Sequence, residues 1–290
     1  MNKFITNEMY FQNIDTEKKS YFLGLFAADG CNYINGNRTR CFISLKEEDK
    51  DILNVLNYEI FPNNDRKLIY KKSYGSSKPQ YKFETFNKQI SNDLISYGIT
   101  PKKSQTLNFR FDRIPENLMN HFIRGYFDGD GCISSYQIKN QTRKKYRISI
   151  LSTKLFLENI VKYLPPAITH SIKFRDGIYE LTISGNNQVK LFCDFIYKNS
   201  TTHLNRKHDR YIELVNQIEK RTKKTSSKYR GVSYSKKMKK WLSYFIKNNK
   251  QIKVGWFKTE QEAYDARNKF ELPKNCQNLE QTKFKSSYIN

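Results

Sequence analysis

The chain has 290 residues, enough for two or three compact units that each bury a core. Its 52 Lys and Arg against 28 Asp and Glu give a net charge of +24, which calls for a polyanionic partner. The 20 Tyr and 20 Phe interspersed with the cations favour nucleic acid over anionic lipid or acidic protein. No apolar run approaches the ~18 residues of a membrane span, and Glu8, Asp15 and Glu17 stand where a leader peptide would avoid acid. A soluble protein is expected, with no membrane partner. Five Cys without CxxC spacing and four His without a paired ligand motif point to reduced thiols and no zinc site.

In chain order, a helix is predicted through YFLGLFAADG (21–30), then a hairpin over 31–45 turning at Asn35-Gly36, then a helix over 47–61. A second hairpin (67–86) leads into a helix over 87–99. The same order then recurs: helix FIRGYFDGDG (122–131), strands within 132–151, a helix over 153–164 closed by Pro165-Pro166, a hairpin over 171–184 and a helix over 186–198. Gly24/Gly125, Phe26/Phe127, Asp29/Asp130, Gly30/Gly131 and Cys31/Cys132 match at a constant offset of 101, so the chain reads as a duplication. Strand parity sets Tyr146, Ile148 and Ile150 against Lys145, Arg147 and Ser149. It likewise sets Cys41, Ile43 and Leu45 against Arg38, Arg40 and Ser44, and Tyr179, Leu181 and Ile183 against Glu180, Thr182 and Ser184. Each sheet has an apolar face and a largely basic one.

The expected class is α+β: two αββαββα halves, at 1–110 and 111–218, forming two antiparallel saddles. A charged Ser/Thr tract at 219–227 reads as a linker, and a small domain of three strands and one helix follows at 228–290. Residues 221–290 hold 18 Lys and Arg against 5 Asp and Glu, more than half of the net charge.

Gly24 with Ala28 and Gly125 with Gly129 lie four apart, each pair on one helix face, so the two helices can pack backbone to backbone. Asp29 and Asp130 then meet side by side just before Gly30 and Gly131 end the helices. Two carboxylates at one point raise a pKa unless a hard divalent cation neutralises them, and Mg2+ suits that donor set. One Asp-Gly after an apolar run is usually a turn; two at equal offset need another reason. The chemistry such a pair supports is phosphodiester hydrolysis, one cut per strand.

LGLFAADG and IRGYFDGDG, with ITPKKS and FRFDRIPENLMNHFIRGYFDGDG between and into them, resemble the two motifs of monomeric LAGLIDADG homing endonucleases over about residues 15–215. The resemblance implies saddles in the major groove of double-stranded DNA and cleavage across the minor groove. It implies two or three divalent ions held by Asp29 and Asp130 with the backbone of Ala28, Gly129, Gly30 and Gly131. Lys103 in PKKS and Lys207 in LNRK match the family's basic residue after the third helix of each repeat; they are either catalytic or two more surface lysines. Ala27 stands where the motif's first Asp would be, and Asp128 keeps it in the second copy. Strand parity makes Arg38, Arg40, Lys82, Glu84, Lys145, Arg147, Glu180 and Thr182 candidates for base and phosphate contacts. The duplication supplies its own two-fold arrangement, so a monomer is expected. A splicing maturase acting on the host intron RNA and a non-catalytic DNA-binding regulator stay open as alternatives. The Lys, Asn, Ile, Phe and Tyr content suggests an AT-rich source. Cytoplasm or nucleoid of a bacterial or phage-infected cell, or an organelle matrix, would be the compartment.

In the tail, YRGV, the Trp241 strand, VGWF and the helix start at Thr259, with Glu262 three residues on, resemble the Apetala/ethylene-response-factor DNA-binding domain. Ala263, Ala266 and Phe270 form the expected apolar stripe of that helix. The resemblance implies that the sheet enters the major groove, with Arg230 and Trp241 on DNA and Lys239, Lys247 and Lys253 on phosphates. Trp241 can equally be the core of so small a sheet.

Overall fold

Thr16 opens the first repeat: its hydroxyl accepts from Lys19 N at 3.3 Å, and every residue of α1 (Glu17–Ala28) from Ser20 onward is buried. A helix covered on all sides must run through the middle of its domain. The computed structural model describes residues 6–271 other than 37, 63–65, 73–77, 104–105, 140–142, 223–225 and 248–249. The tip of the second hairpin, three residues of the expected linker and the end of the expected tail domain (272–290) lie outside the described residues.

Both halves form in the expected order. The first continues as β1 (Gly30–Asn35), β2 (Arg38–Lys46), α2 (Lys50–Ile60), β3 (Ile69–Lys71), β4 (Gln80–Thr85) and α3 (Lys88–Ser96). The second is α4 (Met119–Asp130), β5 (Gly131–Gln137), β6 (Lys144–Ser152), α5 (Lys154–Lys162), β7 (Ser171–Arg175), β8 (Ile178–Ser184) and α6 (Asn186–Tyr197). Asn87 and Thr153 cap α3 and α5, accepting from Ile90 N (3.0 Å) and Phe156 N (3.3 Å). The sheets are antiparallel with equivalent strand orders, β1-β2-β4-β3 and β5-β6-β8-β7. Each packs its apolar face on its own helices: Cys41, Ile43, Phe83, Ile148, Ile150, Leu181 and Ile183 are at most 1 % exposed. Arg38, Arg40, Lys145 and Arg147 lie on the opposite face of their sheets, as the alternation of β2 and β6 predicts.

One element was not expected. After α6 the chain enters α7 (Asn205–Thr222), an 18-residue helix that takes in Lys207 and runs four residues into the tract read as a linker. The chain divides into two compact units, residues 1–217 and 218–290. The second holds β9 (Val232–Ser235), β10 (Lys240–Lys247), β11 (Lys250–Phe257) and α8 (Glu260–Glu271), in sheet order β11-β10-β9. The expected capping box is made: Thr259 Oγ1 accepts from Glu262 N at 3.2 Å, and Glu262 accepts in return from Thr259 N at 3.3 Å. Ala263 is fully buried, but Phe270 is 60 % exposed, so the apolar stripe is shorter than the sequence suggested.

No helix among the described residues is long and apolar enough to cross a membrane.

Candidate active site and nucleic-acid interface

The two repeated helices, α1 and α4, pack directly on each other. A Cβ on Gly24 would land on the Phe122 carbonyl, and one on Gly125 on the Tyr21 carbonyl, so each backbone occupies the space that a side chain would need. Gly129 faces Ala28 in the same way, with Asp29 Oδ2 close behind. This contact carries both helix ends to one place. Gly30 and Gly131, however, do not terminate the helices through a left-handed conformation: α4 gives way to Gly131 at φ −79° and ψ 157°. They are glycine because a Cβ there would strike Phe26 and Phe127 of their own helices. Both open strands, opposite Ile43 and Ile150.

Asp29 and Asp130 stand side by side at these ends, both exposed to solvent. Partial dehydration and the charge of Asp130 push Asp29 up to about 6, against the pull of Lys207 and Lys103. Dehydration likewise raises Asp130, opposed by Lys103 and a hydrogen bond from Tyr126.

Lys103 and Lys207 are not surface lysines. Lys103 Nζ is buried and donates to the Ala28 carbonyl at 2.6 Å. Lys207, 4 % exposed, donates to the carbonyls of Phe127 (2.5 Å), Asp128 (2.7 Å), Gly129 (3.3 Å) and Gly131 (2.5 Å). The ammonium groups meet the negative, unpaired carbonyl ends of α1 and α4. Burial lowers both pKa values, that of Lys207 to about 8.

The donors suit a hard divalent cation: two carboxylates in mutual conflict, beside backbone carbonyls. Among the described residues no third Asp, Glu, His or Cys completes a protein cage. The carbonyls of Ala28, Gly129 and Gly131, expected among the metal ligands, each accept from a lysine. Gly30, expected with them, pairs with Ile43 at the start of β1.

Sequence reasoning missed the buried network behind the site. Asp128, 1 % exposed, accepts from Tyr21 OH (2.9 Å), Tyr197 OH (2.6 Å) and Leu204 N (2.8 Å). Arg124, fully buried, donates to Glu17 (2.7 Å) and to the carbonyls of Ile196 and Thr202 (2.8 Å each). Arg206 joins both oxygens of Asp49 at 2.9 and 3.2 Å. The visible signal was a pair of charges, Arg124 and Asp128, four apart within the buried run 122–128 of α4.

On the first saddle Arg38 is exposed and Arg40 half-buried, but Lys82 and Glu84 are buried on the open face. Glu84 accepts from Arg40 and, at 2.7 Å, from Lys82. Burial acts to raise Glu84, and these two cations outweigh it and hold it low. Arg40, Lys71 and Lys82 surround the Phe42 ring at 5.2, 5.8 and 5.6 Å. On the second saddle Lys145 is exposed, and Arg147 donates to Glu180 and Thr182, each at 3.1 Å. Arg175 also reaches Glu180 (3.4 Å), which is itself buried. Lys82, Glu84 and Glu180, expected among the base and phosphate contacts, are thus engaged by neighbouring charges: Glu84 by Arg40 and Lys82, Glu180 by Arg147 and Arg175. The Nε of Arg147 has no acceptor among the described residues.

In the second unit, Ser243, Val232 and Ala263 are buried, and the Phe245 ring lies 6.4 Å from Phe270 of α8. Trp241, two residues from Ser243, belongs to that helix-facing row and packs 5.1 Å from Tyr234. This places the first tryptophan at the edge of the core rather than on the open face. Trp256 pairs with Leu242 and Lys253 with Tyr244 on the side away from α8, with Lys253 Nζ 5.0 Å over the Trp256 ring. Arg230, Lys239, Lys247 and Lys253 are exposed.

The chain is similar to solved structures that include the following three. They are the LAGLIDADG meganuclease I-AabMI bound to uncleaved DNA (15 % identity, 70 % of this chain and 91 % of that chain, TM-score 0.48), the I-LtrWI LAGLIDADG homing endonuclease bound to target DNA (15 %, 74 % and 93 %, 0.47) and I-DmoI in complex with DNA and Mn (19 %, 63 % and 98 %, 0.44). No curated protein sequence matches the chain. Residues 117–197, from the turn ahead of α4 to the end of α6, match the model of the LAGLIDADG-like domain family.

Proposed function

We propose that the protein is a divalent-metal-dependent, site-specific DNA endonuclease that hydrolyses one phosphodiester in each strand of a duplex. The observation that carries this is the meeting of Asp29 and Asp130 at the ends of two helices in backbone contact, each helix end backed by a buried lysine. Binding alone needs neither acid, and a duplication kept only for packing needs no lysine in that place.

Asp29 and Asp130 would hold Mg2+, with some help from the backbone of Ala28 and Gly129. When bound, the metal supplies charge neutralisation at the scissile phosphate and activates water. Lys103 and Lys207 fix the helix ends and add positive potential where the transition state gathers negative charge. Arg38, Arg40, Lys145 and Arg147 meet bases and backbone from the open saddle faces, and Glu84, Glu180 and Thr182 orient the arginines. Both acids come from one chain, so the active form is a monomer and the target is asymmetric.

The second unit is a further DNA-binding module of the Apetala/ethylene-response-factor kind, using its open sheet face. Arg230, Lys247 and Lys253 contact phosphates, and Trp256 takes the place on DNA expected for Trp241.

Incubating the protein with a randomised duplex library and Mg2+, then sequencing the ends, tests the main reading. Double-strand breaks at one recurring site with a fixed stagger are expected. Binding without cleavage at any divalent metal would sink the nuclease.

A further inference from the structure

The α6–α7 connection is tied down by buried charge. Glu17 accepts from Thr201 N at 2.8 Å and from Thr202 N at 3.3 Å, and is itself held by Arg124. Arg206 is anchored on Asp49. The shortest path runs through Asp128. Its carboxylate accepts from Leu204 N, the Leu204 carbonyl accepts from Lys207 N at 3.1 Å, and the Lys207 ammonium returns to the carbonyls of Phe127, Asp128, Gly129 and Gly131. The end of α4 and the start of α7 thus close a ring of hydrogen bonds with Asp128 and Lys207 on opposite sides.

A carboxylate taken fully from water costs several kcal/mol unless its oxygens are satisfied. Asp128 meets that condition through Tyr21, Tyr197 and Leu204. Among the described residues the first half has no such ring: Ala27 stands at the equivalent position, and Lys103 reaches one carbonyl, that of Ala28, from a backbone in which Lys102 sits at φ 59°.

We propose that Asp128 is a positioning residue for Lys207, present in one half only, so that the two strands of the DNA are cut by half-sites of unequal construction. The proposal rests on the endonuclease reading and goes beyond it, because it assigns the asymmetry of the two cuts to one buried carboxylate.

The test uses the full chain and a duplex selected from a randomised library, with each strand labelled separately. Single-turnover rates are measured for wild type, Asp128→Asn, Tyr197→Phe and Lys207→Met, with affinity in Ca2+ and thermal melting as controls. Asp128→Asn should slow one strand at least about tenfold, leave the other strand and the affinity unchanged, and reproduce the strand bias of Lys207→Met. The double variant should be no slower on that strand than Lys207→Met alone. If Asp128→Asn loses its cooperative melt, Tyr197→Phe, which removes one hydrogen bond, carries the comparison. Equal slowing of both strands, or no slowing in a folded variant, overturns the proposal. A wild-type protein that binds the selected duplex and cuts neither strand overturns the endonuclease reading instead.

Discussion

Lys207 donates at 2.5 Å to the carbonyl of Gly131, the residue that follows Asp130 and opens β5. The same ammonium takes three more carbonyls, so it closes the end of α4 as a ligand would.

Removing it should therefore have a pH-dependent effect on stability. The folded-state pKa of about 8 lies below the ordinary 10.5, so the folded form favours the neutral amine. That contribution is present in full above pH 10.5 and is lost as pH falls through 8. Relative to Lys207→Met, wild type should gain up to about 3 kcal/mol between those limits, read by denaturant unfolding of both proteins at the two ends of the range. A constant difference across it would mean that Lys207 does not titrate in the folded protein as its burial requires.

Asp29→Asn and Asp130→Asn should each preserve DNA binding and abolish double-strand cutting, because the amide keeps the shape of the helix ends but loses the ligand charge. Since Asp29 titrates at about 6, metal binding must displace a proton below that pH. Cleavage at limiting Mg2+ should climb with pH through about 6 and then level off. With Asp130→Asn the neighbouring charge is gone, so the midpoint of Asp29, followed by NMR without metal, should move down. An unmoved midpoint would remove the two acids from each other's company.

Much of this was legible in the sequence because it depended on local pattern. The offset of Asp29 and Asp130, the small residues four apart and the alternation of β6 gave the helix pair and the saddles directly. What remained hidden depended on partners far away along the chain. Parity shows that Glu84 and Glu180 face outward, but not that Arg40, Lys82, Arg147 and Arg175 close over them. In the tail sheet, two tryptophans on neighbouring strands could not be told apart until register placed Trp241 with Ser243 and Trp256 opposite Leu242. Helix α7 escaped notice because its charged stretch reads equally well as linker or helix. Lys207, near its start, kept two readings, catalytic or surface, because its burial rests on carbonyls far away along the chain.

The helix interface gives a prediction that does not depend on chemistry. Gly125→Ala forces a methyl onto the Tyr21 carbonyl, and neither backbone can yield without parting α1 from α4. Destabilisation of about 1–3 kcal/mol is expected from overpacking, along with a loss of cutting, because the two acids move with the helices. Retention of full activity by a destabilised Gly125→Ala would show that the acids do not need the close approach.

Deleting residues 223–290 leaves α7 whole and removes the second unit's sheet and helix. Cleavage at saturating protein should persist, since Asp29, Asp130, Lys103 and Lys207 all lie in the first unit. Affinity should fall, and its dependence on salt should flatten. Each phosphate that the shortened protein no longer neutralises keeps its counterion, which lowers the slope of log affinity against log salt by about 0.9. A covalently attached module also raises the local concentration of the rest of the protein at its site, so affinity should drop by more than its own phosphate interactions supply. Replacing Lys253 and Trp256 together should reproduce part of the effect, because both lie on the face that α8 leaves open. Replacing Trp241 should instead act through stability, since it lies on the helix side. Footprints and salt titrations of the full-length and shortened proteins decide the matter: the same protected base pairs with the same slope would mean that the second unit does not bind DNA, however basic it is.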